Sequence, residues 1–476
     1  MRTLKKLLLF IAVLIFLAPT CSLPALAATK RKTPEQMGIA LAWYEDGCEI
    51  TGYTGPETRI DLTLLTVDKP VVRIGERAFY DSIVTEVIFP KTLRSVGEEA
   101  FSNSRIVDVK FPSDVKVVPN RCFASCTRLT RVRFMGKLER IDDFAFQYCQ
   151  RLDTIEVPQT LVYLGASAFE GTAITSINLP AAITSIPQRC FADCKNLLRV
   201  GNAGAVTSIG DSAFDHCLKM YAFDTINERH DTLKEIGEYA FSYTSLKVVK
   251  FPSGVTELPN NCFDGCEYLN TVLLPEGIQK IGESAFKGCR RLRNINLPDS
   301  ITEIGEAAFQ EVGIRALRVP AGVTVIQAGA FNTCQSLLEV TLPETITAIE
   351  SQAFAYCSVL RDITVPASII SLGESVFQAC SALKSAQVNA VLDILPAGTF
   401  EGCSALTDIS LASTIRTVGD SAFSGCKALK SVSLPDMVEE IGEEAFSGCK
   451  TLASIALPNS LLSIGDRAFA SAGLTA

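Results

Sequence analysis

Residues 281–303 read IGESAFKGCRRLRNINLPDSITE, and residues 441–463 read IGEEAFSGCKTLASIALPNSLLS. The two stretches are equal in length and match in almost every apolar position. Self-similarity at a fixed period of roughly 23 residues is typical of a solenoid, in which each repeat forms one turn. One phenylalanine per repeat, called here the marker phenylalanine, indicates eighteen turns: Phe79, Phe101, Phe123, Phe146, Phe169, Phe191, Phe214, Phe241, Phe263, Phe286, Phe309, Phe331, Phe354, Phe377, Phe400, Phe423, Phe446 and Phe469.

Each turn contains two short apolar runs. Leu292, Ile295 and Leu297 alternate as in a half-buried strand, and Pro298 ends the run because proline cannot donate to a strand ladder. A second run follows at residues 301–304. Too few positions point inward for one turn to bury a core alone, so each turn is stable only against its neighbours. With stacked strands about 4.8 Å apart, the repeats predict a mainly β solenoid with little helix, a curved rod roughly 85 Å long.

The corner after the second run is usually glycine, as at Gly282 and Gly442. Four turns have proline at this corner instead: Pro119, Pro187, Pro259 and Pro396. Because proline fixes φ near about −65°, the position does not require a left-handed backbone. We therefore expect that glycine is used there for lack of space.

A longer period is superimposed on the turns. The turns of Phe101, Phe169, Phe241 and Phe309 lack a cysteine three residues after the phenylalanine and are one residue short, which indicates that the duplicated unit comprises three turns. The middle copy is longer by four residues, near residues 224–231 (DTINERHD). An insertion in one turn is a candidate contact loop, although neutral drift of a loop explains it more simply.

The N-terminus has the pattern of a secretory signal peptide over residues 1–27. A basic head precedes an apolar run at residues 7–18 and an A-x-A arrangement at residues 25–27. The alternatives are a retained membrane anchor and a lipoprotein leader ending at Cys21. The apolar run is short for a membrane span, and Ala18-Pro19-Thr20 departs from the small-residue lipobox. The sequence therefore predicts a secreted or cell-surface protein.

Composition excludes several classes of protein. Hydrophobic residues make up 47% and charged residues 20% of the 476 residues, which is typical of a folded chain. The net charge of −8 becomes −11 when Arg2, Lys5 and Lys6 are removed with the leader. A polyanion is poorly suited to general nucleic-acid binding or to an anionic membrane surface.

The cysteines are interpreted as core residues. Twelve of the 17 occupy one position, three residues after the marker phenylalanine, where stacked side chains run parallel and are poorly oriented for disulfides. Three further cysteines form CxxxC pairs, which do not have the spacing of zinc ligands: Cys122 with Cys126, Cys190 with Cys194, and Cys262 with Cys266. We expect free, buried thiols and no metal site.

Catalytic motifs are not evident. The histidines are His216, beside Cys217 in the repeated cysteine position, and His230, in the insertion. A cysteine nucleophile requires a histidine base, and a Cys217 and His230 pair is the weaker interpretation of these residues. Neither a nucleophile elbow nor a phosphate-binding loop occurs in the expected context. The sequence predicts a protein without catalytic residues and without a cofactor.

The repeat resembles the BspA-like leucine-rich repeat family of bacterial surface proteins over about residues 75–476. Residues 44–62, YEDGCEITGYTGPETRIDL, look like that family's N-terminal cap, with turn signals at residues 46–47 and 55–56. The resemblance implies a leucine-rich repeat solenoid at residues 66–476 behind a hairpin-like cap at residues 28–65. It also implies adhesion or protein binding at a cell surface, without catalysis. The chain departs from the family pattern by stopping part-way through a turn, so we expect no C-terminal cap.

Binding is expected on the strand face, which we define as the side chains flanking the middle apolar residue of the first run, on the predicted concave side. Its early turns are rich in Arg and Lys and its later turns in Ser, Thr and Asn. Aromatic residues are scarce there, which favours hydrogen-bonded contacts with a protein or with glycan edges over sugar stacking. An ordinary soluble surface is the alternative. The candidate contact residues are Lys110, Arg131, Arg133, Glu156, Asn178, Asn294, Asn296, Glu339 and Asp362.

These observations favour an extracellular recognition or adhesion protein whose partner is a protein or glycoprotein of a host or neighbouring cell. Two other functions are compatible with the sequence. The chain could be the recognition module of a larger secreted enzyme with its catalytic domain beyond Ala476, or a structural component of the envelope.

Overall fold

The computed structural model describes residues 30–223 and 232–475, where regular structure is almost entirely β-strand. The predicted signal peptide, the predicted contact loop at residues 224–231 and His230 lie outside the described residues. Helix in the described part is limited to α1 (Pro34–Met37) and two short 3-10 helices, Leu62–Leu64 and Ala203–Ala205. None of these helices is long or apolar enough to cross a membrane.

The described chain begins with a short helix and an antiparallel hairpin. The Thr33 side chain caps α1, and Gly38, with φ of 68°, ends it. Strand β1 (Ile39–Trp43) then pairs with β2 (Cys48–Tyr53), and β2 pairs in parallel with β4 (Val71–Ile74). The hairpin therefore continues one of the solenoid sheets, and its inward residues belong to the common core.

Most turns contribute one strand to each of two parallel ladders, and in the last turns the first ladder is reduced to a single bridge between Ser433 and Ala456. The first apolar run forms β3 Arg59–Asp61, β5 Glu86–Ile88, β7 Asp108–Phe111, β9 Arg131–Phe134, β11 Thr154–Ile155, β13 Ser176–Asn178, β15 Arg199–Gly201, β17 Ala222–Phe223, β19 Val248–Lys250, β21 Thr271–Leu273, β23 Asn294–Ile295, β25 Ala316–Arg318, β27 Glu339–Thr341, β29 Asp362–Val365, β31 Ser385–Val388 and β33 Asp408–Leu411. In the described residues, these strands pair only with the equivalent strands of adjacent turns.

The second run forms a ladder of shorter strands. After β4 these are β6 Ser95–Val96, β8 Val117–Val118, β10 Arg140–Ile141, β12 Tyr163–Leu164, β14 Ser185–Ile186, β16 Ser208–Ile209, β18 Glu235–Ile236, β20 Glu257–Leu258, β22 Lys280–Ile281, β24 Glu303–Ile304, β26 Val325–Ile326, β28 Ala348–Ile349, β30 Ser371–Leu372, β32 Ile394–Leu395, β34 Thr417–Val418, β35 Glu440–Ile441 and β36 Ser463–Ile464. The prediction of a mainly β solenoid of about eighteen turns is confirmed.

The marker phenylalanines form one continuous stack through the core. Successive rings lie 5.0–5.8 Å apart between centroids and deviate from parallel by at most 20°. Offset stacking of this kind adds to the free energy of apolar burial. Each ring between the first and the last turn is covered above and below by the rings of the neighbouring turns, which is why no turn is a folding unit alone.

The corner glycines have ordinary backbone angles and lack space for a side chain, as predicted. A Cβ on Gly305 would lie 2.6 Å from the Glu283 backbone nitrogen, and one on Gly282 would lie 2.7 Å from that of Asn260. The left-handed residues are elsewhere, two positions before and two positions after every marker phenylalanine, with φ of 50–74°. Because most of them are not glycine, residue type was a poor guide to their conformation.

Candidate recognition surface

The twelve cysteines that follow a marker phenylalanine by three residues form a hydrogen-bonded element of the core, which we call the cysteine column. All sixteen cysteines of the described residues are buried and unpaired. Each of the twelve that follow a marker phenylalanine by three residues donates its thiol to the phenylalanine carbonyl of the preceding turn, at 3.0–3.2 Å. A small side chain with a donor therefore suits this position better than a purely apolar one.

These thiols are unsuited to chemistry. Burial raises the pKa of Cys126, Cys194 and Cys266 to about 12, so they are protonated at neutral pH, whereas a nucleophile or metal ligand requires the thiolate. His216 Nδ1 lies 2.8 Å from Asp215 Oδ1, while the neighbouring Cys217 thiol bonds to a backbone carbonyl. Within the described residues, no group of three or more His, Cys, Asp or Glu side chains could hold a metal ion.

The nine candidate contact residues are all solvent-exposed, but they do not form one site. Seven lie within strands of the first ladder, whereas Glu156 and Asn296 directly follow β11 and β23. The Asn296 side chain both accepts from the Leu274 backbone N–H, at 2.8 Å, and donates to its carbonyl, at 3.0 Å. Asn296 therefore closes the ladder between two turns. The residues that come together are Lys110, Arg131, Arg133 and Glu156.

The strand face of β5, β7 and β9 carries Lys110, Arg131 and Arg133, with Glu156 directly after β11, around a feature that we call the groove. It comprises two cavities of about 550 and 580 Å³ that share Arg133 and Met135. The first is lined by Glu86, Val87, Ile88, Phe89, Lys91, Asp108, Lys110, Phe111, Pro112, Ser113, Arg133 and Met135. The second is lined by Arg131, Val132, Arg133, Phe134, Met135, Thr154, Ile155 and Glu156.

Lys110, Arg131 and Arg133 differ in whether they have an ion-pair partner. The register places Asp108 opposite Arg131 and Lys110 opposite Arg133. Arg133 nevertheless reaches across the ladder, and its Nη2 lies 2.8 Å from Asp108 Oδ2. Neither Lys110 nor Arg131 takes part in an ion pair within the described residues. The predicted Arg/Lys cluster thus contains one neutralised cation, Arg133, and two cations available to a partner.

The groove also has an apolar component that the sequence interpretation missed. Phe89, Phe111 and Phe134 stack at 5.9 and 5.8 Å between centroids. Phe134 is half-buried, and Met135 is 56% exposed. In most turns, proline directly follows the first apolar run. Met135 replaces that proline here, and this was the signal in the sequence for an exposed apolar side chain. Phe89 and Phe111 are buried, so the apolar strip that a partner could contact consists of Phe134 and Met135, between charged side chains.

A family model described as BspA type leucine rich repeat region matches residues 58–147, 129–228, 221–338, 303–429 and 417–476. A crystal structure of a leucine-rich repeat protein from Eubacterium ventriosum is similar, with 26% identity over 64% of this chain and 84% of that one and a TM-score of 0.46. No curated protein matches the chain.

Two further solved structures are similar over most of their length. A leucine-rich repeat protein from Bacteroides ovatus has 24% identity over 91% of both chains, with a TM-score of 0.36. A leucine rich cell surface protein from Faecalibacterium prausnitzii has 23% identity over 88% of this chain and 92% of that one, with a TM-score of 0.31.

Proposed function

Because the chain belongs to the BspA type leucine-rich repeat family, we propose that it is an extracellular, non-catalytic recognition protein. Its partner is a protein or glycoprotein of a host or neighbouring cell, bound through the strand face. The signal-peptide pattern of residues 1–27 supports an extracellular location. Repeat solenoids use extended faces of this kind to bind other macromolecules.

The observation that carries the proposal is the groove on β5, β7 and β9. Lys110 and Arg131 are exposed cations without an ion-pair partner among the described residues, and they flank the apolar strip that ends at Met135. Binding sites commonly combine an apolar centre, which supplies most of the affinity, with charged groups that select and orient the partner. The groove therefore suits a partner that presents an acidic side chain or an acidic sugar beside an apolar surface.

The experiment is capture from host extracellular-matrix and mucus fractions on the immobilised chain, residues 28–476. The test variant is Lys110→Glu with Arg131→Glu. The control is Arg361→Glu with Lys384→Glu, which makes the same change of charge at two exposed residues of distant turns. We expect the test variant to lose the captured component and the control to retain it. Equal capture by wild type and both variants would show that the groove is not the binding site.

A further inference from the structure

A second kind of cavity occurs where a turn is short. The turn of Phe169 is one residue shorter than the turn of Phe146: Ile174 follows Phe169 by five positions, whereas the equivalent Leu152 follows Phe146 by six. The short turn leaves a notch of about 390 Å³ between the turns on either side of it. The turn of Phe309 is short in the same way and has a notch of about 300 Å³.

The two notches are equivalent in detail. Each of the seven residues that line the second notch, from Arg290 to Ser336, lies 140 positions after a residue that lines the first. Gln150 thus corresponds to Arg290, and Asn196 corresponds to Ser336. The short turn itself therefore produces the cavity, and the local side chains decide what it can bind.

The notch at Phe169 contains an aromatic side chain, Tyr148, where the other has Gly288 in the equivalent position. Tyr148 is 40% exposed, and its ring lies against Gly171, where a Cβ would be 2.5 Å from the ring carbon Cδ1. Its hydroxyl donates to Glu170 Oε1 at 3.1 Å. The ring is therefore held at both ends while part of its surface remains open to solvent.

The anchor of this ring is a buried carboxylate. The Glu170 side chain is only 3% exposed, and it accepts hydrogen bonds from Arg189 at 2.7 Å and from Gln147 at 2.9 Å. Burial alone would raise the pKa of Glu170, but hydrogen bonds from Arg189, Ser167 and Gln147 bring it below its ordinary value. A buried charge requires such compensation, and this one fixes a surface tyrosine.

The remaining walls of the notch are polar but carry no net charge. Asp193 and Lys195 form an ion pair at 3.8 Å. The amide oxygen of Asn196 accepts from Lys219 at 2.9 Å, which leaves its NH₂ group to face solvent. Gln150 is exposed on the opposite wall. Gly171 and Ala173 keep the floor free of large side chains.

We propose that this notch binds one unit of a neutral saccharide. The nonpolar face of a sugar ring fits against a fixed aromatic ring, and its hydroxyls suit the amide groups of Gln150 and Asn196. The Asp193 and Lys195 pair cancels the charge that would attract an ionic ligand. The site is separate from the strand-face groove and does not depend on the proposed function.

The test is saturation-transfer NMR and calorimetry of residues 28–476 with chitotriose, cellotriose, maltotriose and mannotriose. At least one of these should bind, and Tyr148→Ala should weaken it by a factor of about five or more, the scale of one aromatic contact. Tyr356→Ala is the matched control, because Tyr356 is 47% exposed and also follows its marker phenylalanine by two residues, but a full-length turn follows it. The control should bind as wild type does.

A second variant protects the test against misfolding. Asn196→Ala changes an exposed wall residue outside the Glu170 network and should also weaken binding, with an unchanged circular dichroism spectrum. Failure of all four trisaccharides to bind at millimolar concentration would overturn the proposal. So would binding that Tyr148→Ala and Asn196→Ala leave unchanged, or that Tyr356→Ala reduces equally.

Discussion

Replacement of Cys403 by alanine tests whether the cysteine column stabilises the solenoid as a set of free, hydrogen-bonded thiols. The Cys403 side chain is fully buried, and its Sγ lies 3.2 Å from the Phe377 carbonyl oxygen. That oxygen also accepts the backbone N–H of Cys380 at 3.2 Å, so it keeps one partner when the thiol is removed. The cost is therefore at the low end for a hydrogen bond, about 0.5 kcal/mol. Loss of a buried atom of methylene size adds about 0.8 kcal/mol.

We therefore expect Cys403→Ala to lower the free energy of unfolding by about 1 to 1.5 kcal/mol. Ser410→Ala, at an exposed position of β33, should change it by less than about 0.5 kcal/mol. The assay is urea unfolding followed by far-ultraviolet circular dichroism, under reducing and non-reducing conditions. A Cys403→Ala variant as stable as the Ser410→Ala control would refute the role of the thiol. Stabilisation of the wild type that vanishes on reduction would show that the column contains disulfides.

Three further results are expected. At neutral pH the native chain should show almost no thiol reactivity, since all sixteen described cysteines are buried and burial raises the pKa of Cys126, Cys194 and Cys266 to about 12. All sixteen should react in denaturant, and a much lower count there would contradict free thiols. Gly305→Ala should destabilise by about 1 to 3 kcal/mol through overpacking, whereas Gly277→Ala, with nothing within 4 Å of the new Cβ, should be nearly neutral. The lowered pKa of Glu170 means that its stabilising contribution, present above the unfolded pKa, is lost as the pH falls through the folded pKa. In the acid range, the melting temperature should therefore depend less on pH for Glu170→Gln than for wild type.

The sequence predicted the features that repeat. A phenylalanine in every turn, a cysteine three positions later and a crowded corner glycine each recur many times, so their burial follows from the pattern. The packing role of glycine followed from Pro259 and its equivalents, because proline excludes a left-handed backbone.

Features that depend on contacts between turns were not predictable. Asp108 and Arg133 belong to different turns and are not directly opposite in the register, so their ion pair requires the three-dimensional ladder. The anchoring of Tyr148 by Glu170 likewise joins two turns. The left-handed positions carry residues as different as Arg121 and Tyr148, because the stacked turns impose the backbone conformation whatever the side chain.

Hydrogen exchange of residues 28–476, measured with and without the component captured from matrix or mucus, tests the central claim most directly. Recognition through the groove predicts slower exchange in β5, β7 and β9, where Lys110 and Arg131 flank the apolar strip that ends at Met135. It predicts no change in β31 and β33, at the opposite end of the strand face. Protection confined to other turns, with β7 and β9 unchanged, would contradict the account.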